Sequence, residues 1–294
     1  MILLISPKNL YATKRLINEA KKSKIPLEVL SMEELRAKNF KINIKHYQTL
    51  YIRSPFVNGS PKYFPQIISL AKKFKRAGKK VVDAVIAKGE LGEGKAKDYQ
   101  RLLKAHLPIP KMVTLFDGRQ KVLPKFVLKW QYGFKGQHVF FVHDKKQILK
   151  IAKKYPKGEL LAQEFIKADY EYKVITVGYK SLSVVLRFEI DKKTARPDFK
   201  KYDVIPVHQF STSSNSILRA SPDANRDELR SDYRKVISLA ERASKLLGRE
   251  LAKVDILQKG KKFYILEVNR WPGLKSFEDL TGYNAAGEFV KYLK

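Results

Sequence analysis

The residues with the most chemistry in this 294-residue chain lie near its end, in Val254-Asp-Ile-Leu257 and Phe263-Tyr-Ile-Leu-Glu-Val-Asn269. Both segments read as strands, and Gln258-Lys-Gly-Lys-Lys262 between them reads as a hairpin turn. A strand period of two predicts Tyr264, Leu266 and Val268 on one face and Glu267 and Asn269 on the other. Folding about the Lys259–Lys261 turn sets Asp255 opposite the Glu267 region. Two carboxylates so placed repel unless a cation sits between them. An Asp, a Glu and an Asn amide oxygen are hard ligands, suited to Mg²⁺ shared with phosphate oxygens. From spacing alone, a hairpin with its acids in solvent is the other reading.

A second phosphate-like signal is weaker. Gly89-Glu-Leu-Gly-Glu-Gly94-Lys95-Ala96 nearly spells the P-loop G-x-x-x-x-G-K-[ST]. That motif needs backbone N–H groups around the phosphates and a Ser or Thr hydroxyl on Mg²⁺. Here Ala96 replaces the hydroxyl, and Glu90 and Glu93 bring negative charge to the cradle. The segment reads better as a turn between domains.

Composition bounds what the rest can be. With 60 Lys+Arg against 29 Asp+Glu, the formal net charge is +31, so anionic partners or a highly solvated surface are expected. Apolar residues at 44% are enough for a core, which argues against wholesale disorder. The absence of cysteine excludes disulfides, Cys-based zinc sites and thiol catalysis. The five histidines lack metal-site spacing. No apolar run approaches the ~18 residues of a membrane span, and Met1-Ile-Leu-Leu-Ile-Ser-Pro7 reads as a first strand rather than a signal peptide. A cytoplasmic protein without membrane attachment is expected; the oligomeric state is not legible.

The elements that must position the hairpin follow from periodicity. Residues 1–90 alternate strands near 2–5, 27–30, 49–52 and 81–82 with helices near 10–24 and 63–77, the pattern of a small open α/β sheet. After the Gly89–Gly94 stretch come a helix over 96–105 and strands over 126–130 and 139–142. Asp144 is placed to cap a helix reaching Tyr155. Strands are expected at 160–166, 172–177 and 182–188, then an irregular stretch over 191–221 containing Ser211-Thr-Ser-Ser-Asn-Ser216. A long helix over 226–247 stops at Gly248, and the hairpin follows.

With these residues in view, the sequence resembles the ATP-grasp ligases, in particular their RimK-like glutamate-ligase branch. Lys253-Val-Asp-Ile-Leu257, Glu267-Val-Asn-Arg-Trp-Pro-Gly273 and Phe277-Glu-Asp-Leu-Thr-Gly282 resemble that family's closing signature. The resemblance implies that Asp255, Glu267 and Asn269 bind Mg²⁺, two ions in all, with Mn²⁺ as a substitute. It also implies that Lys95 and Lys129 are the nucleotide lysines. Gly133-Phe-Lys-Gly136 would be the glycine loop over the phosphates. Gln163, Glu164, Phe165 and Ile166 would be the hinge that reads adenine, and Glu171 the ribose carboxylate. The match covers about 93–282. It implies an α/β (α+β) ATP-grasp fold, divided as an N-terminal pre-ATP-grasp domain (1–92), a central nucleotide subdomain (93–190) and a metal-binding subdomain (191–294).

Chemically, two lysines offset phosphate charge, and glycines let backbone approach phosphates closely. The implied activity is ATP-dependent carboxylate–amine ligation through an acylphosphate, adding glutamate or a similar amino acid to an acidic peptide or protein tail. Arg187, Lys200 and Arg270 are the candidate catalytic cations. The chain departs from the family at three places. His138 stands where glycine is usual. Lys200 and Tyr202 replace an Arg-x-Asn pair, and a lysine lacks the bidentate fork of arginine. The His-Arg-Gly-Gly stretch is absent, with Val207-His-Gln-Phe-Ser-Thr212 roughly in its place. The rival expectation is a non-catalytic, basic RNA- or ribosome-binding protein on the same scaffold.

Overall fold

The computed structural model describes residues 1–56, 62–91, 94–114, 126–131, 138–142, 144–155, 159–207 and 226–294. The glycine loop with Gly133 and Gly136, and the Ser/Thr tract 211–216, lie outside them.

The N-terminal part is a parallel sheet of β1 (Ile2–Ile5), β2 (Leu27–Leu30), β3 (Thr49–Ile52) and β4 (Lys80–Val82), in the order β2-β1-β3-β4. β1 and β3 are apolar runs buried along their whole length, as parallel strands covered on both faces must be. Leu3, Ile5, Leu50 and Ile52 face α3 (Phe64–Arg76), while Ile2, Leu4 and Tyr51 face α1 (Tyr11–Lys22). A short helix absent from the sequence reading, α2 (Met32–Ala37), is started by a capping box in which Ser31 and Glu34 satisfy each other's backbone N–H.

Helix α4 (Gly94–Lys104) leads into a second, antiparallel sheet of β5 (Met112–Thr114), β6 (Phe126–Trp130), β7 (Val139–Val142) and β8 (Leu160–Glu164), ordered β5-β8-β6-β7. Asp144 caps α5 (Lys145–Ala152) as expected, accepting from the Gln147 N–H at 2.7 Å.

The third sheet contains β9 (Tyr170–Val177), β10 (Lys180–Ile190), β11 (Pro197–Pro206), β12 (Leu251–Lys259) and β13 (Lys262–Asn269), ordered β11-β10-β9-β12-β13 and antiparallel throughout. Helix α6 (Arg226–Leu246) covers one face, setting Tyr233, Val236 and Ala240 on Tyr172, Val174, Val254 and Ile256. On the other face Ile175, Leu186, Phe188 and Leu251 pack with α7 (Lys275–Thr281), α8 (Ala285–Leu293) and the α1 side of the first sheet.

Two expectations change here. Residues 191–221 are not irregular throughout, because 197–206 form β11, held by its register with β10 rather than by a strong apolar alternation of its own. The expected division at 190/191 falls between β10 and β11. The chain passes from one sheet to the next earlier, between Glu164 and Tyr170, because β9 and β10 pair with β12 and β11 rather than with β8. Gly248 does end α6. Its φ is +60°, and a Cβ there would lie 2.2 Å from Val85 Cγ1, so the turn needs glycine both for its backbone and for its close approach to the N-terminal part.

Candidate active site

The hairpin pairs Asp255 with Glu267, and the pairing depends on an irregularity. Toward the turn, Ile256 opposes Ile265; toward the strand ends, Asp255 opposes Glu267, so Leu266 is an extra residue on β13. A strict period of two would have put Val268 with Leu266 and Tyr264. The bulge instead puts Ile265 and Val268 together in the core under α6, and turns Glu267 to the face of Asp255. The bulged carbonyl of Leu266 accepts from the buried Tyr99 hydroxyl at 2.5 Å, so α4 fixes the bulge.

Around this rung the carboxylates are met by lysines from three elements. Lys173, next to Asp255 on β9, has its Nζ 2.5 Å from Glu171 Oε1 and 3.7 Å from Asp255 Oδ1. Lys253 Nζ lies 3.2 Å from Asp255 Oδ2, and Lys95 Nζ, from α4, lies 3.3 Å from Glu267 Oε1. Asn269 completes the cluster, its Nδ2 donating to Asp255 Oδ2 at 3.2 Å. Burial disfavours the Lys173 ammonium, but the charges of Asp255 and Glu171 outweigh it and hold its pKa raised. For Glu171 burial dominates over Lys173 and the carboxyl is pushed up.

Lys129 comes from the second sheet and is 8% exposed. Burial pushes its pKa down to about 8, with Lys95 adding to the fall and the Glu267 charge opposing it. The backbone joins the two nucleotide-lysine candidates as well, through Lys95 N–H to Gln131 O at 3.3 Å. The hinge candidates span the passage between sheets. Gln163 and Ile166 are buried, Phe165 meets Phe141 edge-on with centroids 5.6 Å apart, and Glu164 exchanges hydrogen bonds with the Lys111 backbone.

The donor set fits Mg²⁺. Asp255 Oδ1 is buried without a hydrogen-bond partner, an acceptor left for a cation. Among the described residues no three acidic or His side chains form a metal cluster by themselves, so the coordination needs oxygens from elsewhere, as phosphates would supply.

Two of the three candidate catalytic cations, Arg187 and Arg270, are not brought to this face, and the third, Lys200, lies at the far edge of the sheet. Arg187 pairs with Tyr172 in register and so points to the α6 side, where it donates to Asp203 Oδ2 at 2.7 Å and lies over the Tyr170 ring at 4.5 Å. Lys200 is exposed on the edge strand β11, with β10 and β9 between it and the strand of Asp255. Arg270 is buried against Asp83 of the N-terminal part at 3.2 Å. His138 donates to or accepts from the Tyr155 hydroxyl at 2.7 Å and stands edge-on to Trp130, so it works as packing within the second sheet. Lys173 is the member that sequence reasoning missed. Its signal is period-two charge, Glu171 and Lys173 alternating with buried Tyr172 and Val174 in a central strand.

Comparison with known proteins bears on the fold. In fold, the chain is similar to the ATP-grasp ligase PsnB complexed with a phosphomimetic variant of its minimal precursor, Mg and ADP (TM-score 0.70, 14% identity, 99% of this chain and 97% of that one). It is similar also to a RimK domain ATP-grasp protein from Sphaerobacter thermophilus (TM-score 0.64, 15% identity, 99% and 98% covered). The fold is that of the ATP-grasp proteins. In sequence, residues 226–293 match the RimK-like ATP-grasp domain. A probable alpha-L-glutamate ligase from Chromohalobacter salexigens is 26% identical over 196 residues, covering 65% of this chain and 56% of that protein. The chain thus spans little more than half the length of the first such relatives. No helix among the described residues is long and apolar enough to cross a membrane.

Proposed function

We propose that this chain is an ATP-dependent carboxylate–amine ligase that adds glutamate, or a similar amino acid, to an acidic peptide or protein tail. The observation that carries the reading is the Asp255–Glu267 rung, surrounded by lysines from both antiparallel sheets. The named relatives, probable alpha-L-glutamate ligases, support the amino acid, and the PsnB complexes with precursor support a peptide acceptor.

In this reading Asp255, Glu267 and Asn269 hold Mg²⁺, which supplies Lewis-acid stabilisation of charge on the transferring phosphoryl group. Lys95 and Lys129 bind the nucleotide phosphates and offset their charge. Gln163–Ile166 seat the adenine and Glu171 the ribose. A substrate carboxylate oxygen attacks the γ-phosphorus, and the bond to the ADP oxygen breaks, giving an acylphosphate and ADP. The amine then attacks the acyl carbon, phosphate leaves with the carbon–oxygen electron pair, and the amine loses a proton to give the amide. Gly133 and Gly136 are proposed to cover the phosphates. The pure RNA-binding reading is set aside, since a binder has no use for a bulge that aligns two carboxylates among lysines.

The test is mass spectrometry of products after incubation with ATP, glutamate and a panel of acidic peptides. Glutamate-extended peptide with matching ADP and phosphate is expected. ATP cleavage without any extended product across the panel would contradict the reading.

A further inference from the structure

The lysines of the site do more than wait for phosphate, because they already neutralise the carboxylates. Lys173 sits between Glu171 and Asp255 at 2.5 and 3.7 Å, Lys253 holds the second Asp255 oxygen at 3.2 Å, and Lys95 holds Glu267 at 3.3 Å. The side chains of Glu171 and Asp255 are only 8% and 9% exposed, so these charges are weakly screened by water. Three carboxylates therefore face three paired ammonium groups, with the buried Lys129 behind them.

We propose that Lys173 acts as a built-in counter-cation that bars free Mg²⁺ from Asp255, so that the site accepts the metal only together with nucleotide. The inference rests on the metal reading of the hairpin given above. Free Mg²⁺ approaching Asp255 Oδ1 must crowd or shift the Lys173 ammonium, which lies 3.7 Å from that oxygen without a hydrogen bond to it, and this sets two cations beside one buried oxygen. No free acid takes up the shifted charge, since the other acids that act on Lys173, Glu171 and Glu267, are already paired, with Lys173 itself and with Lys95. Metal arriving on ATP brings phosphate oxygens, which complete its coordination and give the shifted ammonium an anion to face. Lys173 thereby sets the order in which the site fills. Lys253 contributes at the other Asp255 oxygen, but it is the more exposed of the two, at 23% against 16%.

The experiment is calorimetric titration of the full chain with MgCl₂ alone, with a non-hydrolysable ATP analogue alone, and with both, for wild type, Lys173→Met and Lys173→Arg. Wild type and Lys173→Arg are expected to show no specific metal binding without nucleotide. Lys173→Met is expected to gain metal-alone affinity by at least about tenfold, the smaller end of what one neighbouring charge does to a carboxylate's affinity for a proton. Should Lys173→Met fail to fold, judged by its thermal transition, Lys253→Met carries the same expectation at the other oxygen. A wild type that binds the analogue with Mg²⁺, beside a folded Lys173→Met that gains nothing for metal alone, would overturn this inference and leave the ligase reading standing. A wild type that binds no nucleotide under any condition would overturn both.

Discussion

Asp83 and Arg270 meet 3.2 Å apart across the seam between the N-terminal sheet and the carboxylate hairpin, with side chains 2% and 11% exposed. Asp83 Oδ1 also accepts from the Glu250 N–H at 2.7 Å, while Glu250 accepts from the Ala84 N–H at 3.0 Å and from the Tyr292 hydroxyl. Arg270 directly follows the proposed metal ligand Asn269. The contact therefore ties the N-terminal part to the end of β13, and gives Arg270 a partner inside the protein rather than on a substrate.

The expected outcome for Arg270→Ala follows. Removing one member strands a buried carboxylate, which typically costs about 3–5 kcal/mol. Denaturant unfolding should show a loss of that order, and Asp83→Asn combined with Arg270→Ala should recover part of it. Unchanged stability with weakened acceptor use would return Arg270 to a substrate-binding role.

Lys129 gives a pH signature. Its pKa is pushed down to about 8 by burial, from 10.5 in an exposed lysine. Phosphate favours the charged form, so nucleotide affinity should fall as pH rises through about 8, and binding near that pH should take up a proton. The nucleotide-free fold responds in the opposite sense. Between the folded value and 10.5 the unfolded chain binds more protons, so the contribution of Lys129 to stability rises with pH in that window. Calorimetry in buffers of different ionisation enthalpy separates the two effects. An affinity flat across this window would argue against Lys129 as a phosphate ligand.

Glu267 should couple metal to nucleotide. Mg²⁺ and an ATP analogue together should raise the melting temperature far more than either alone, and Glu267→Gln should lose most of that synergy. Turnover of Glu267→Gln should fall on the order of 10²-fold or more, as losses of charge-stabilising groups do. Equal synergy in the variant would remove Glu267 from the metal site.

Much of this was legible before the fold was known, for definite reasons. The buried runs Ile2–Ile5 and Thr49–Ile52 and the hairpin 251–269 announce themselves through apolar runs, alternation and turn chemistry. Counting back from the turn brings Asp255 only to Leu266, next to Glu267; the bulge that moves the pairing on to Glu267 has no sequence mark. Strand β11 escaped because its polar residues carry little alternation and its register comes from β10. The placement of Arg187 and Arg270 could not be read from motif position. One is decided by strand parity, which sets Arg187 on the face opposite Glu171, and the other by a contact with Asp83, 187 positions away in sequence.

The charge of +31 bears on the acceptor. If the basic surface serves an acidic substrate, kcat/KM should be highest for glutamate-rich peptides over neutral and lysine-rich ones. Salt should raise KM for that acceptor more than it lowers kcat, because long-range attraction is screened beyond ~8 Å at physiological ionic strength while contacts inside the site are less so. Equal use of the three peptides at low salt would assign the charge to another partner, RNA among them.

The most direct measurement follows the oxygen of the activated carboxylate. Peptide acceptor and glutamate are labelled in turn with oxygen-18 in their carboxylates and turned over with ATP, and the released phosphate is analysed by mass. An acylphosphate route predicts one labelled oxygen in phosphate from whichever substrate is activated, together with ADP and no AMP, and loss of the signal in Glu267→Gln. Amide product accompanied by unlabelled phosphate, or by AMP and pyrophosphate, would contradict the account.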